Sequence, residues 1–348
     1  MSPSAGPRLE FGAYALPSYH AETDPPQGEY LRNLIDRLAW AEELGFDAIW
    51  LNEHHFSPWG GMLPSPPVAL AALAQRTRRV RLGTSVSVLA LHHPIHQAEQ
   101  LAMLDLISGG RLDLGVGRGS APFDHEVFGL DFSQAQARTL EALEVILQAW
   151  RGEPFSHQGS YFQVPRVQVW PRPEQRPHPP VWISCSSSRE SFVWPAEHGF
   201  NLLTIGFVKP VPRFAELTRA YREAYPEGQI TTLYHCVVRP DGAEARQLAT
   251  EAIGRFLGQM RASNELSATA RRNPVEDLVV ERMVDDSRLV AGSPAMVAAM
   301  LRYLQAEVGF TQVALMFQFG GLSDAIARES MRLFAAEVIP CLRDPSPS

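Results

Sequence analysis

Short apolar runs alternate with amphipathic stretches along nearly all of this 348-residue chain, and that alternation limits the fold more than any other feature. Strands are expected at Phe11–Leu16, Phe46–Leu51, Val80–Leu91, Arg111–Gly115, Val181–Cys185, Asn201–Ile205, Thr232–Val238 and Gln312–Phe317. Helices are expected between and after them, at Glu29–Leu44, Pro67–Arg78, His96–Ile107, Gln134–Trp150, Ser191–His198, Pro212–Tyr225, Ala243–Arg261, Pro294–Glu307 and Ala325–Leu342. In one of these, Leu140, Leu143, Leu147 and Trp150 recur at helical spacing until Gly152 stops the pattern. Strict β–α alternation with short apolar strands implies a parallel sheet, and eight units favour closure into a (β/α)8 TIM barrel. An open doubly wound sheet would want a phosphate loop after the first strand, where the chain has Asp24-Pro25-Pro26-Gln27-Gly28 instead. Residues 1–348 then read as a single α/β domain. Two stretches interrupt the rhythm. Glu153–Pro180, rich in Pro and Gln, reads as an excursion or hairpin, and Asn264–Arg288, polar and weakly periodic, as a long mobile insertion or lid before the last βα unit.

The bulk properties remove several functions. A formal charge of −7 and no basic stripe argue against nucleic acid, whose phosphates need clustered Lys and Arg. Cys185, Cys236 and Cys341 form no CxxC pair and suit a reducing compartment. The first residues carry no apolar leader and no stretch reaches membrane-spanning length, so a cytoplasmic protein is expected.

In such a barrel, ligands sit at the C-terminal ends of the strands, where four clusters fall. Asn52-Glu53-His54-His55-Phe56 follows the second strand, and an imidazole there can serve as acid, base or donor to a developing anion. Two loop histidines bonded to backbone are the plainer alternative; metal binding with His92, His93 and His96 lacks a ligand-type spacing. Gly83-Thr84-Ser85-Val86 in the third strand is, by itself, only strand. Gly115-Val116-Gly117-Arg118-Gly119 lets backbone pass close to a ligand and offers a guanidinium for phosphate, though a Gly-rich turn would look the same. Ser184-Cys185-Ser186-Ser187-Ser188-Arg189-Glu190-Ser191 opens a helix with hydroxyls and free N–H groups, an anion site as well as an N-cap. The fourth and fifth strands are barrel neighbours, so Arg118 and the serines converge, and a phosphate ester is the natural ligand.

Taken together these residues resemble the bacterial luciferase-like flavin-dependent monooxygenases. The likeness runs through Gly45-Phe46-Asp47 into Glu53-His54-His55-Phe56, Val80-Arg81-Leu82-Gly83-Thr84 and His93-Pro94-Ile95-His96-Gln97-Ala98-Glu99. It continues through Leu104-Asp105, Gly109-Gly110-Arg111 and Gly115-Val116-Gly117-Arg118-Gly119, to Gly292-Ser293-Pro294, Met331-Arg332-Leu333-Phe334 and Val338-Ile339-Pro340. The resemblance implies a barrel, usually dimeric, that binds FMN non-covalently. Arg118, Ser186, Ser187 and Ser191 would hold the phosphate, with Glu53 nearby. Ser85-Val86 would form a non-prolyl cis peptide under the ring system, and His54 would serve the oxygen chemistry. Reduced FMN and O2 would give a C4a-hydroperoxide that oxygenates a small organic substrate. No NAD fingerprint is present, so a separate NAD(P)H-flavin reductase is expected to supply reduced flavin. Use of F420 for hydride transfer, flavin binding without turnover, and a metal-dependent barrel hydrolase are the alternatives. Three departures from the luciferase α subunit stand out: Gly117 replaces its reactive cysteine, and Ser186 and Gln318 replace acidic residues. They set aldehyde oxidation and light emission apart from flavin binding.

Overall fold

The computed structural model describes residues 8–186, 188–267 and 278–343. Eight parallel strands close on themselves: β1 (Glu10–Ala15), β2 (Ala48–Leu51), β3 (Arg81–Thr84), β4 (Leu112–Gly117), β5 (Val181–Cys185), β6 (Asn201–Ile205), β7 (Ile230–Val238) and β8 (Gln312–Met316). Each pairs with its neighbours in sequence order, and β8 returns to β1 with Glu10 opposite Gln312. The closed barrel expected from the alternation is therefore present.

Helices cover the outside: α1 (Gln27–Glu43), α2 (Pro66–Arg76), α3 (Pro94–Ser108), the short α4 (Pro122–Val127), α5 (Ala135–Trp150), α6 (Arg189–Glu197), α7 (Val211–Ala224), α8 (Gly242–Asn264), α9 (Val280–Asp285), α10 (Pro294–Val308) and α11 (Asp324–Leu333). Among the described residues, no helix is long and apolar enough to cross a membrane.

Large rings plug the barrel. Trp50 and Trp182 meet edge to face at 5.4 Å, packed with Leu203, Leu233 and Ala314. A Cβ on Gly83 would lie 2.2 Å from the Trp50 ring, so the neighbouring strand needs glycine to admit that indole. Trp50 Nε1 donates to Gln312 Oε1 at 2.6 Å, which satisfies its buried N–H. The plug leaves the C-terminal mouth as a shallow bowl with a floor.

The glycine and arginine runs that carry the family likeness build the opposite end. Arg111 donates to Ala74 O, Thr77 Oγ1, Val80 O and Ser108 O, locking four successive segments together. Asp47 accepts from Phe11 N at 2.8 Å and from Arg8 at 3.0 Å.

The structure departs from the sequence expectations at Val80–Leu91 and at Val290–Gly292 and bears out the hairpin after α5. The apolar run Val80–Leu91 is not one strand: β3 stops at Thr84, Ser85–Val86 is a cis peptide, and Ser87–Val88 resumes beside Val116–Gly117 of β4. Small and β-branched residues run through Thr84–Val88 as they would in any strand, so the pattern does not mark the backbone break. The excursion after α5 is an antiparallel hairpin, Phe155–Gln158 with Gln163–Val167. Past the expected insertion, Val290–Gly292 pairs with Cys236–Val238 of β7, a strand too short for any pattern to reveal. Of that insertion, residues 268–277 lie outside the described residues. On its flanks, Leu278, Met283 and Leu289 pack with Phe256, Leu257 and Met260 of α8 in a second core over the β7–β8 side of the mouth.

Candidate active site

Beyond β2, Glu53 is almost wholly buried, with both oxygens engaged. Oε1 lies 2.6 Å from His92 Nε2 and 3.2 Å from His55 Nε2, while Oε2 accepts from Val88 N at 2.9 Å. Burial opposes its charge, but these bonds prevail and hold its pKa down at about 2. Glu53 thereby ties the β2 loop to the segment that follows the cis peptide.

His54 points the other way. Its ring packs on Trp59 at 4.4 Å, and its Nδ1 lies 3.9 Å from Asp124 Oδ2 on α4. Gly60 must be glycine, since a Cβ there would stand 2.8 Å from the imidazole. Desolvation, with help from neighbouring His55, lowers the His54 pKa to about 4. The near-neutral titration expected of a loop histidine does not survive burial. His54 is a neutral imidazole at working pH. Asp124 moves oppositely, with desolvation raising its carboxyl to about 6. No sequence signal singled out Asp124, one acid in a six-residue helix.

Across the bowl, Ser85 N donates to Leu51 O at 2.6 Å, and Ser85 Oγ is buried without a hydrogen-bond partner. Val86 lies half-buried, packed against the Trp50–Trp182 cluster as Tyr14 and Ile205 are. Gly117 closes on it: a Cβ at 117 would lie 2.7 Å from Val86 Cγ2 and 3.4 Å from Ser184 Cβ. Ser85, Val86, Gly117 and Ser184 therefore form one cradle, which the sequence order alone could not join.

Arg118 follows on the rim, exposed, its guanidinium 4.6 Å above the Phe132 ring. Among the described residues it has no carboxylate partner, and partial burial lowers its pKa. Ile183 of β5 pairs with Val116 of β4, which brings the loop after β5 alongside. There Ser186 is exposed, and Ser188 and Ser191 cap α6 reciprocally, each side chain accepting from the other's N–H at 3.3 Å. Ser187 lies outside the described residues. Among those residues, no group of three His, Cys, Asp or Glu side chains is placed to hold a metal ion.

These groups suit a flat phosphorylated ligand. The unpaired guanidinium and the α6 N-terminus answer a phosphate, the cradle gives a ring close access to backbone, and the orphaned Ser85 hydroxyl can bond a ring heteroatom.

A parallel eight-stranded barrel with its polar residues gathered at the strand C-termini defines a (β/α)8-barrel enzyme. Residues 9–312 match the family described as luciferase-like monooxygenase, and the chain belongs to that family. It is 36% identical to an uncharacterized protein of Sinorhizobium fredii over 84% of this chain and 86% of that one. It is 29% identical to 4-hydroxyprotoasukamycin monooxygenase of Streptomyces nodosus subsp. asukaensis, over 96% and 92% of the two chains. The oxygenase component of a flavin-dependent trigonelline monooxygenase from Acinetobacter baylyi is 35% identical over 51% of this chain and 49% of that one. The crystal structure of the monooxygenase RslO1 from Streptomyces bottropensis superposes with TM-score 0.84 at 29% identity, covering 95% of this chain and 99% of that one. At 21% and 18% identity, likeness in fold alone extends to the oxygenating constituent of 3,6-diketocamphane monooxygenase in complex with FMN and to an F420-dependent secondary alcohol dehydrogenase (TM-scores 0.79 and 0.75).

Proposed function

We propose that this chain is the oxygenase half of a two-component system, binding reduced FMN from a separate NAD(P)H-flavin reductase and inserting one atom of O2 into a small organic substrate. The observation that carries the reading is an unpaired guanidinium, Arg118, on the rim next to the Ser85–Val86–Gly117–Ser184 cradle. In it Arg118, Ser186, Ser187 and Ser191 take the phosphate, and Ser85 and Val86 meet the ring. Glu53 acts from behind, fixing His55 and the backbone at Val88. Bound reduced FMN supplies the electrons that activate O2. His54, neutral and walled by Trp59, offers a proton-bearing nitrogen in a place that excludes bulk water. On the described flank of the 264–288 stretch, Ser267 Oγ donates to Glu126 of α4 at 2.5 Å, beside His54's partner Asp124.

A homodimer fits the exposed apolar side chains Val68 on α2 and Met103, Leu106 and Ile107 on α3, which a second copy would cover. Sedimentation of Met103→Glu against the parent chain tests it. Three unpaired cysteines agree with a cytoplasmic setting.

The test of function is titration with FMN, riboflavin and F420. Arg118→Ala should weaken FMN about ten- to a hundredfold, the worth of a charge-assisted hydrogen bond, and leave riboflavin unchanged. Equal loss for both flavins would misplace the phosphate. Reduction by F420, with no oxygen uptake from reduced FMN, would make the chain a hydride-transfer enzyme of the same fold.

A further inference from the structure

A second neutral imidazole faces the barrel interior, three strands round from β4. Along β7 alternate side chains point inward. Thr231 Oγ1 donates to Gln312 Oε1, the atom that also accepts from Trp50, and Leu233 packs with Trp50 and Trp182. His235, two residues on, takes the same face opposite Met316, the last pairing before β7 leaves β8 for Val290–Gly292. The ring is fully buried, and neither Nδ1 nor Nε2 has a hydrogen-bond partner.

Three phenylalanines surround it edge-on: Phe207 and Phe319 at 4.6 Å and Phe256 at 4.7 Å. Burial pushes the imidazole pKa down to about 3, so it stays neutral, with one N–H donor and one acceptor nitrogen. Two orphaned nitrogens inside an aromatic cage cost stability that a leucine or phenylalanine would not. Such a cost is kept where something else supplies the bond.

The cage is joined to the candidate active site. Phe256 meets Trp59 at 5.9 Å, and Trp59 carries His54 at 4.4 Å, so one aromatic wall runs between the two imidazoles. Phe256 and Phe319 are buried, whereas Phe207, on the connection after β6, is half-buried and is the most accessible of the three rings. Among the described residues no charged side chain stacks in the cage, which disfavours an ionic ligand.

We propose that this cage is the substrate subsite, and that His235 recognises by one hydrogen bond the single carbonyl or hydroxyl oxygen of an otherwise apolar cyclic or aromatic compound. That the bound compound is then oxygenated rests on the monooxygenase reading; that it binds does not.

The test uses the full chain and matched pairs: 2-adamantanone and acetophenone, each against its exo-methylene analogue, which keeps the shape and loses the acceptor. Binding is followed by calorimetry without flavin and by the ring nitrogen signals of 15N-histidine-labelled protein. The parent chain should prefer each ketone about tenfold, with a shifted His235 signal. His235→Leu should erase the preference while holding the methylene analogues within about threefold, and His235→Asn should keep part of it. FMN affinity and cooperative melting of both variants check folding, and His235→Leu should melt above the parent. No ketone preference in the parent overturns the proposal, as does preference that survives His235→Leu, or a lowered melting point with equal loss for both ligands. Selective binding with no oxygenation of any bound ketone would leave the subsite standing and remove the monooxygenase reading; oxygenation untouched by His235→Leu would do the reverse.

Discussion

Replacing Asp124 by asparagine should make the protein more stable, and more so at high pH. Burial raises the Asp124 carboxyl from an ordinary 3.8 to about 6. At ~1.4 kcal/mol per pKa unit, holding it ionised above pH 6 costs the fold at most about 3 kcal/mol. Between those two values the folded state keeps a proton that the unfolded chain has released. Stability therefore falls as pH rises through the window and levels off above it. Asparagine keeps an oxygen to accept the His55 N–H and carries no charge, so it removes the cost. The linkage relation makes the gain at pH 8 exceed that at pH 5 by about 1.4 kcal/mol. Urea unfolding of both proteins at the two pH values measures this directly. Equal gains at pH 5 and pH 8 would refute burial as the cause. A loss at pH 8 would mean that His54, 3.9 Å away, is a cation and the contact an ion pair.

Other outcomes follow from the same geometry. His54→Ala should leave FMN affinity within a few-fold and cut oxygen transfer by roughly 10²–10⁴, with hydrogen peroxide appearing instead; coupled turnover in the variant would make His54 structural. Because His54 stays neutral down to about pH 4, turnover should show no His54 inflection near 6.5, which a pH–rate profile with constant FMN saturation checks. Glu53→Gln should cost roughly 2–3 kcal/mol at pH 7 by disturbing His55 and His92, read from urea midpoints. The parent's own Glu53 contribution, full above pH 4.5, should fade as pH drops towards about 2. Long-chain aldehyde with reduced FMN and air should give no appreciable light, and luminometry against a luciferase would show otherwise.

The barrel was legible because each strand is short, apolar and bounded by a helix, so period and punctuation agree over the whole length. The cis peptide was legible only through resemblance, since Ser85 and Val86 look like any other strand residues. Arg118 and His54 stood out by type and position at strand ends. Asp124 and Trp59 did not, and His92 was weighed only as a metal ligand, because their roles come from the loops after β2, β3 and β4 folding over one another. The pKa of His54 was beyond reach for the same reason: a loop residue is expected to be wet, and Trp59 and Gly60 enclose this one.

The positions at which the resemblance implied departures from the luciferase α subunit, Gly117 and Gln318, are each fixed by their neighbours. A side chain at 117 would collide with Val86, so Gly117 and Val86 come as a pair, and a cysteine there requires a different floor. Gln318 accepts from buried Arg37 and donates to Leu322 O, while the carboxylate that neutralises Arg37 comes from Asp324 at the start of α11. Asp324 also pairs with Arg328 at 2.5 Å, so the position next to Gln318 already carries its carboxylate and a neutral amide at 318 leaves Arg37 bonded on both sides. What distinguishes the substrate must then be sought where polarity is unpaired, and the aromatic wall between His54 and His235 is such a place.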